Sequence, residues 1–490
     1  MDIAEVEHYF AHYKPIFGAH WKHICQLMCQ NLPTTLWVHP DRSSIDHLLP
    51  RLQQTGHQVH VLDWLHHSLA VDEAFKLGRR LEFRAGLFHL QEATSMLPSF
   101  ILDPQPKERV LDLCAAPGGK SAQIALMMKN QGTLVVNDLS YARLRALRGI
   151  QERLGIYNMV LCAQDGQKFM QGHSECFDKV LVDVPCSCEG TIRKHGRGIL
   201  RKNMEEFQRN LIHVQRRLLQ RALTLCKVGG RVVYSTCTFN PLENEGIVST
   251  LLKQYPHALR LESIHWPGLE EAKSVLTWQG EHYHPDVSRC LRIHPHIKNT
   301  GGFFVASFRI EAPLQESNPI TWSPPPALSA EEDQYYRQWL AHHYEVDLSK
   351  VQAQFTIASN RLMAMVSQDL RLPDTDCQVA GLPVFHRKGK VPHLTQAAAL
   401  HWGPLIKKNI INLSTVEHVD RFYSREMIAV EGLDTHLQPQ ALTQGYYLIR
   451  YQDMTLGTGF VRHKEDGSVL ESHYPKAWRL GENKSALATL

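Results

Sequence analysis

Residues 109–121 read RVLDLCAAPGGKS, an apolar strand that breaks into a Pro-Gly-Gly turn with a helix-forming sequence behind it; no other stretch constrains the fold as much. Val110, Leu111 and Leu113 suit a strand buried on both faces of a parallel sheet, and Asp112 falls inside that run. Pro117, Gly118 and Gly119 supply a tight turn without Cβ atoms where a ligand can approach the backbone. The helix expected over roughly residues 120–129 aims its first N–H groups at whatever occupies that turn. The spacing is not GxGxxG, so a dinucleotide pyrophosphate fits poorly and an adenosyl ligand without phosphates fits better. An ordinary strand-to-helix turn would show the same local chemistry.

The segments that follow decide between those readings. TLVVND, helical YARLRALRGIQERLG, MVLCAQDG, FDKVLVDVPCSCEG and GGRVVYSTC succeed one another at strand–helix–strand distances. Alternation of this kind predicts an α/β fold with a doubly wound, mostly parallel sheet, whose ligands lie beyond the carboxyl ends of the strands. Those ends carry the glycine loop, Asp138, Asp165, Asp183 with Pro185 and Cys186, and finally Cys237. Asp138 stands where an acid can accept both hydroxyls of a ribose, and Asp165 where a carboxylate can accept an adenine amine. One strand-end aspartate is often a helix cap, but three in register with a glycine loop favour a bound adenosyl group. Gln91, Glu92 and Ser95, just ahead of the first strand, are candidates for the rim of the same site, although surface helix residues would look alike.

With 490 residues the chain has room for about three domains. Residues 1–80 read as a small N-terminal α/β module of two short amphipathic helices, a strand TTLWVHP, a helix capped by Ser43 or Ser44, and a strand HQVHVLDWL. Cys25 and Cys29 share a helix face there, with no matching Cys/His pair, and read as buried small apolar residues. Residues 81–310 form the sheet domain. Residues 311–331, with Pro324, Pro325 and Pro326, read as a linker; residues 332–410 as an intermediate region opening with a helix; and residues 411–490 as the short strands of a small barrel. Asn240, Pro241, Glu243 and Glu245 are expected to cap the helix after the last core strand.

The formal charge of +4 says little about partners, but residues 193–221 hold nine Lys or Arg against Glu205 and Glu206. That run is either a solvated helix face or a phosphate-contacting surface beside the site. The 29 histidines add a weak hint of an anionic partner. Eleven cysteines, an odd number without regular spacing, suit a reducing compartment, and the cytoplasm is the expected location. No basic-then-apolar leader and no membrane-length apolar run is visible, so no membrane association is expected, and a monomer is.

Taken together, CAAPGGK (Cys114, Ala115, Ala116, Pro117, Gly118, Gly119 and Lys120), Asp138, Asp165, the DVPC stretch ending in Cys186, and STC followed by NPLENE resemble the Nol/Nop/Sun family of RNA cytosine-5 methyltransferases. The resemblance extends through GLFHLQEATS and RCLRIHPHIKNTGGFFVA, and beyond the linker to the C-terminal part of bacterial ribosomal-RNA members with a PUA-like barrel. It implies a Rossmann-like methyltransferase sheet and S-adenosyl-L-methionine as cofactor, held by the glycine loop, Asp138, Asp165 and Asp183. It also implies an RNA partner, ribosomal RNA being favoured and transfer RNA the alternative. Carbon 5 of cytosine is too weak a nucleophile to take a methyl group from a sulfonium unaided, so a thiolate must first add at carbon 6. By resemblance that thiol is Cys237, Cys186 assists release of the methylated product, and Asp183 binds the base near N3 and N4. No metal is required, and Cys186-x-Cys188 without a second pair is weak evidence for one. Two places depart from the family pattern: Cys188 stands where glycine is usual, and Trp37-Val38-His39 where Arg-Val-Asn is usual. A DNA-type enzyme would use the Cys186 position as nucleophile, and a non-catalytic RNA-binding assembly factor would need neither strand-end thiol.

Overall fold

Strands rich in Val, Ile and Leu form in the middle of this chain because both faces of the sheet they enter are covered by helices. In the computed structural model, residues 1–478 are described except 55, 72–76, 200–203, 270–272, 352, 378, 388–390, 432, 436–441 and 466. The parallel strands are β1 Arg109–Asp112, β2 Thr133–Asn137, β3 Met159–Cys162, β4 Phe177–Asp183 and β5 Cys226–Thr236, in the order β3-β2-β1-β4-β5. Beyond β5 the sheet continues antiparallel with β6 Leu259–Glu262, β7 Leu291–Ile293 and β8 Phe303–Ile310; β8 lies between β5 and β6, and β7 also pairs with β8. The strand order reverses between β1 and β4, which opens a crevice at their carboxyl ends.

Alternation along each strand sorts the core into two layers. Leu111, Val135, Val180 and Val232 pack on one face with Leu219 and Ala222 of helix Met204–Leu225 and Val248 of helix Glu245–Gln254. Val110, Leu134, Val136, Leu181 and Val233 pack on the other with Met96 of helix Ala93–Leu102, Ile124 of helix Gly119–Met127 and Leu147 of helix Tyr141–Leu154. Neighbouring residues thus go to opposite layers, as the pleat of a strand requires, and the result is the doubly wound α/β sheet expected from the sequence.

The N-terminal helical stretch is three short helices rather than two, Ile3–Phe10, Lys14–Phe17 and Trp21–Met28, with Pro15 in the first turn of the second. Their aromatic face, Phe10, Tyr13 and Phe17, closes around Phe239 in the loop after β5. A four-stranded antiparallel sheet follows, in the order Val59–Val61, Ser68–Val71, Thr34–Val38, Phe88–Leu90. Its last strand lies past residue 80, because Leu36, Trp37 and Val38 find their second partner in Leu90, His89 and Phe88. Ser44, whose side chain accepts from the backbone N–H of His47, is the cap of helix Ile45–Gln53.

C-terminal to the sheet domain lie helix Ala330–Tyr344, a four-stranded sheet (Gln354–Ile357, Leu362–Val366, Leu382–His386, His393–Leu394) and a six-stranded sheet built around Gly445–Tyr451, Met454–Lys464 and Gly467–Ser472. The proline-rich stretch before them is docked rather than free. Ser174 donates its backbone N–H to the Asn318 carbonyl at 2.9 Å and its hydroxyl to the Glu316 carbonyl at 3.0 Å. Trp322 sits edge-on to Phe177 and under the Arg109 guanidinium. Further on, Val379–Ala380 adds to β3 as an antiparallel neighbour, which covers an edge that would otherwise offer unpaired backbone groups.

Candidate active site

A cleft of about 800 Å³ opens at the carboxyl ends of β1 to β5, and every site residue named from the sequence lines it: Cys114 to Lys120, Asp138, Asp165, Asp183, Cys186 and Cys237, with Gln91, Glu92 and Ser95 at its rim. The turn after β1 needs glycine. Gly118 has φ +113°, and a Cβ there would come 2.7 Å from Leu147 Cγ; one on Gly119 would come 2.9 Å from Gln91 Oε1. Gln91 is itself held by the Trp37 indole N–H at 3.0 Å, so the residue that replaces the usual arginine positions the cleft rim, while His39 reaches the Leu154 carbonyl at 3.0 Å.

Asp138 accepts from Ala116 N–H at 3.2 Å through one oxygen and from Ser140 N–H at 2.9 Å through the other, which aims the carboxylate with lone pairs to spare. Asp165 accepts from Gln167 N–H at 3.0 Å through Oδ1. Asp112 lines the cleft as well: Ser121 donates to its Oδ2 at 2.6 Å, Oδ1 has no partner, and burial pushes its carboxyl up to about 7. A buried acceptor without a donor, beside two aimed carboxylates and a turn that excludes Cβ atoms, fits an adenosyl ligand bearing positive charge.

At the other end of the cleft are the thiols. Adjacent strands β4 and β5 are in register with Asp183 opposite Ser235, so the loops that leave them run side by side. Cys186 Sγ lies 3.3 Å from Cys237 Sγ as a result. A web of buried polar groups holds the two loops together. The Ser187 and Thr238 hydroxyls are 2.6 Å apart; Glu243 accepts from Ser187 N–H at 3.0 Å and from Gln215 at 2.8 Å; and Glu189 accepts from Thr238 at 3.0 Å and Tyr13 at 2.7 Å. Burial raises Glu189 to about 7. Arg292 of β7, buried against Glu245, donates to the Phe239 carbonyl at 2.7 Å and so pins the loop just past Cys237.

Asp183 is gripped at both oxygens: Lys120 donates to Oδ2 at 2.7 Å and Ser235 to Oδ1 at 2.7 Å, while Lys120 also donates to Ser95 at 2.8 Å. Burial works against the Lys120 ammonium, but the charge of Asp183 and the bond to it outweigh that and raise it. Both thiols sit well above the ordinary range. Cys186 is pushed up by its bonds with Cys188 and Cys237 and then by burial. For Cys237 the bond from Cys186 pulls down, and Cys188, burial and the negative Asp183 outweigh it. The two sulfurs share one hydrogen bond, in which either can donate. Cys188 holds φ +60° and ψ 19°, the left-handed conformation, at a cost of about 1–2 kcal/mol relative to glycine.

Several sequence expectations need correction. Glu243 and Glu245 do not cap the helix that follows; Asn244 is the cap residue, without a side-chain bond, and the two acids brace the loops from inside. In the basic run, Arg193 is buried against the carbonyls of Gln30, Asn31 and Thr300, and Arg221 ties down the Phe169 and His173 carbonyls. Lys194, Arg197, Arg209, Arg216 and Arg217 are exposed, with Lys194 on the cleft wall, while Arg201 and Lys202 lie outside the described residues. Glu189, Gln215, Ser187 and Thr238 carried no sequence signal, because the bonds that lock the loops, Tyr13–Glu189, Ser187–Thr238 and Gln215–Glu243, join residues 176, 51 and 28 apart.

Comparison with known proteins agrees with this geometry. The family model for 16S rRNA methyltransferase RsmB/F matches residues 99–309, the part that builds the cleft. Ribosomal RNA small subunit methyltransferase F of Aeromonas salmonicida (strain A449) is 30% identical over 490 residues, 96% of each chain. A tRNA (cytosine(49)-C(5))-methyltransferase of Pyrococcus abyssi is 37% identical over 232 residues, 47% of this chain and 73% of that protein. Among solved structures, a methyltransferase homolog from Pyrococcus horikoshii is 30% identical, with a TM-score of 0.55, over 63% of this chain and 97% of that one. A relative of that identity along nearly the whole of both chains, with the family's model lying on the cleft itself, means that the chain belongs to the RsmB/F family of 16S rRNA methyltransferases.

Proposed function

We propose that this protein transfers a methyl group from S-adenosylmethionine to carbon 5 of a cytosine in ribosomal RNA. The observation that carries the reading is the pair of sulfurs 3.3 Å apart, from two separate strand ends, in one cleft with an adenosyl-type cradle. Asp138 would take the ribose hydroxyls, Asp165 the adenine amine, and the turn from Cys114 to Lys120 the rest of the cofactor, which supplies an electrophilic methyl group when bound. Cys237 adds to carbon 6 of the base. Cys186, 3.3 Å from it, is the proton relay: it takes the proton from carbon 5 and gives its own to the departing Cys237 sulfur, so that the sulfur–carbon 6 bond breaks, the double bond re-forms and the methylated product leaves. Asp183 engages the base at N3 and N4, and its partner Lys120 keeps positive charge beside the ring as electron density builds there.

The target base must leave its stack to reach the thiols, so flanking surfaces hold the RNA. Exposed Lys194 and His195 on the cleft wall suit phosphates. We read the C-terminal six-stranded sheet as a PUA-like RNA-binding domain; exposed Arg462 and Lys464 on its longest strand support this. The ribosomal relative aligns along the full chain and the transfer-RNA relative over about half, which favours ribosomal RNA. No helix among the described residues is long and apolar enough to cross a membrane, and the eleven unbridged cysteines support a cytoplasmic location. Bisulfite mapping of small-subunit ribosomal RNA and of transfer RNA, each incubated with the protein and S-adenosylmethionine, tests the reading. One newly protected cytosine in the ribosomal RNA is expected; protection only in transfer RNA, or none, refutes it.

A further inference from the structure

The reaction just described uses two thiols, yet three meet at the head of the cleft. Cys188 Sγ lies 3.9 Å from Cys186 Sγ, and the sulfurs of Cys186, Cys188 and Cys237 all fall within 4.8 Å of one another. All three residues line the cleft. Among the described residues no other group of three His, Cys, Asp or Glu side chains brings its donor atoms this close. The spacing is imposed by the framework: two strand ends in register set Cys186 beside Cys237, and the Ser187–Thr238–Glu189–Glu243 web locks their loops. Cys188 is held in a left-handed backbone conformation that glycine would adopt without strain, and that conformation brings its sulfur back toward the other two.

We propose that Cys186, Cys188 and Cys237 form a three-thiolate site for a thiophilic metal ion such as zinc or cadmium. Four ligands around zinc at Zn–S of about 2.3 Å place sulfurs about 3.8 Å apart; the Cys186–Cys237 and Cys186–Cys188 separations of 3.3 and 3.9 Å bracket that value, and the Cys188–Cys237 pair lies within 4.8 Å. A donor set of three sulfurs rejects magnesium and calcium, which require oxygen. As each S–H gives its proton to solvent, one metal–sulfur bond forms, and the metal keeps its oxidation state. Binding rests on the sulfur geometry alone. That it blocks methyl transfer rests on the reading of Cys186 and Cys237 given above.

The test uses the full, reduced chain and cadmium as the probe, with thiolate-to-metal charge-transfer absorption and proton release as readouts. One cadmium per chain at the cluster is expected, with about three protons released, and with zinc competing for the same site. Cys188→Gly, which suits the left-handed backbone, should weaken cadmium binding at least about tenfold. Zinc should inhibit its methyl transfer only at correspondingly higher concentration. Cys188→Ala serves as a second variant, with cofactor binding by calorimetry as the check that both are folded. Absence of the charge-transfer band, or equal cadmium affinity in the folded Cys188 variants, overturns the site. Cys188-dependent cadmium binding that leaves methyl transfer intact upholds the site and removes Cys186 and Cys237 from the reaction.

Discussion

Arg292→Met tests whether the loop carrying Cys237 is held from behind. Both members of the Arg292–Glu245 pair are buried, with side chains 1% and 0% exposed. Arg292 Nε donates to Glu245 Oε1 at 2.9 Å, and Nη1 donates to the Phe239 carbonyl at 2.7 Å. Removing the guanidinium leaves a buried carboxylate that, among the described residues, only the Val275 N–H, at 3.0 Å, still holds. Leaving one partner of a buried pair uncompensated costs about 3–5 kcal/mol, and the lost bond to Phe239 adds about 1 kcal/mol. Adding Glu245→Gln removes the stranded charge, so the double variant should recover most of the stability, leaving a deficit of about 1–2 kcal/mol. The Phe239 carbonyl lacks its donor in both variants, so methyl transfer should stay depressed in the double variant although its stability returns. Urea unfolding of wild type, both single variants and the double variant gives the cycle, and methyl transfer to ribosomal RNA is measured beside it. A single-variant cost below about 1 kcal/mol would refute the energetic argument. Full return of activity along with stability would refute the role of the Phe239 anchor.

Three further outcomes follow from the cleft. Cys237→Ser should abolish both methyl transfer and any covalent RNA adduct, whereas Cys186→Ala should accumulate a protein–RNA species that survives denaturing electrophoresis; the reverse pattern would make Cys186 the nucleophile. Asp138→Ala should weaken S-adenosylmethionine binding by about 1–3 kcal/mol in calorimetry, and unchanged affinity would remove it from the ribose site. Glu189, with an ordinary value of 4.5 raised to about 7 by burial, holds more proton in the folded state between those values, so its contribution to stability is full below 4.5 and is lost as pH rises through 7. Glu189→Gln should flatten that part of the pH–stability curve, and an unaltered slope would show that Glu189 does not titrate there.

What could be read from the chain alone was the chemistry carried at strand ends. Strand periodicity, the Pro-Gly-Gly turn and the acids that close each strand are local signals, so the order of elements, the glycine turn after β1 and the positions of Asp138, Asp165, Asp183, Cys186 and Cys237 at one edge were legible in the sequence. Contacts between distant residues were not. Glu189 reads as a loop acid until the chain closes and brings Tyr13 and Thr238 to it, 176 and 49 residues away. Arg193 and Arg221 belong to a basic run in the sequence, yet in the fold they satisfy backbone carbonyls, because charge patterning along a chain does not say which side of a helix meets the core. The proline-rich stretch has the composition of a linker and is nonetheless docked through Trp322 and Asn318, and Val379–Ala380 joins the edge of the central sheet. Cys188 shows the division most plainly: in sequence it is half of a C-x-C with no second pair, and only the register of β4 on β5 supplies Cys237 as the third sulfur. Local periodicity determines which element a residue joins, but which elements become neighbours depends on burial and backbone pairing satisfied across the whole chain at once.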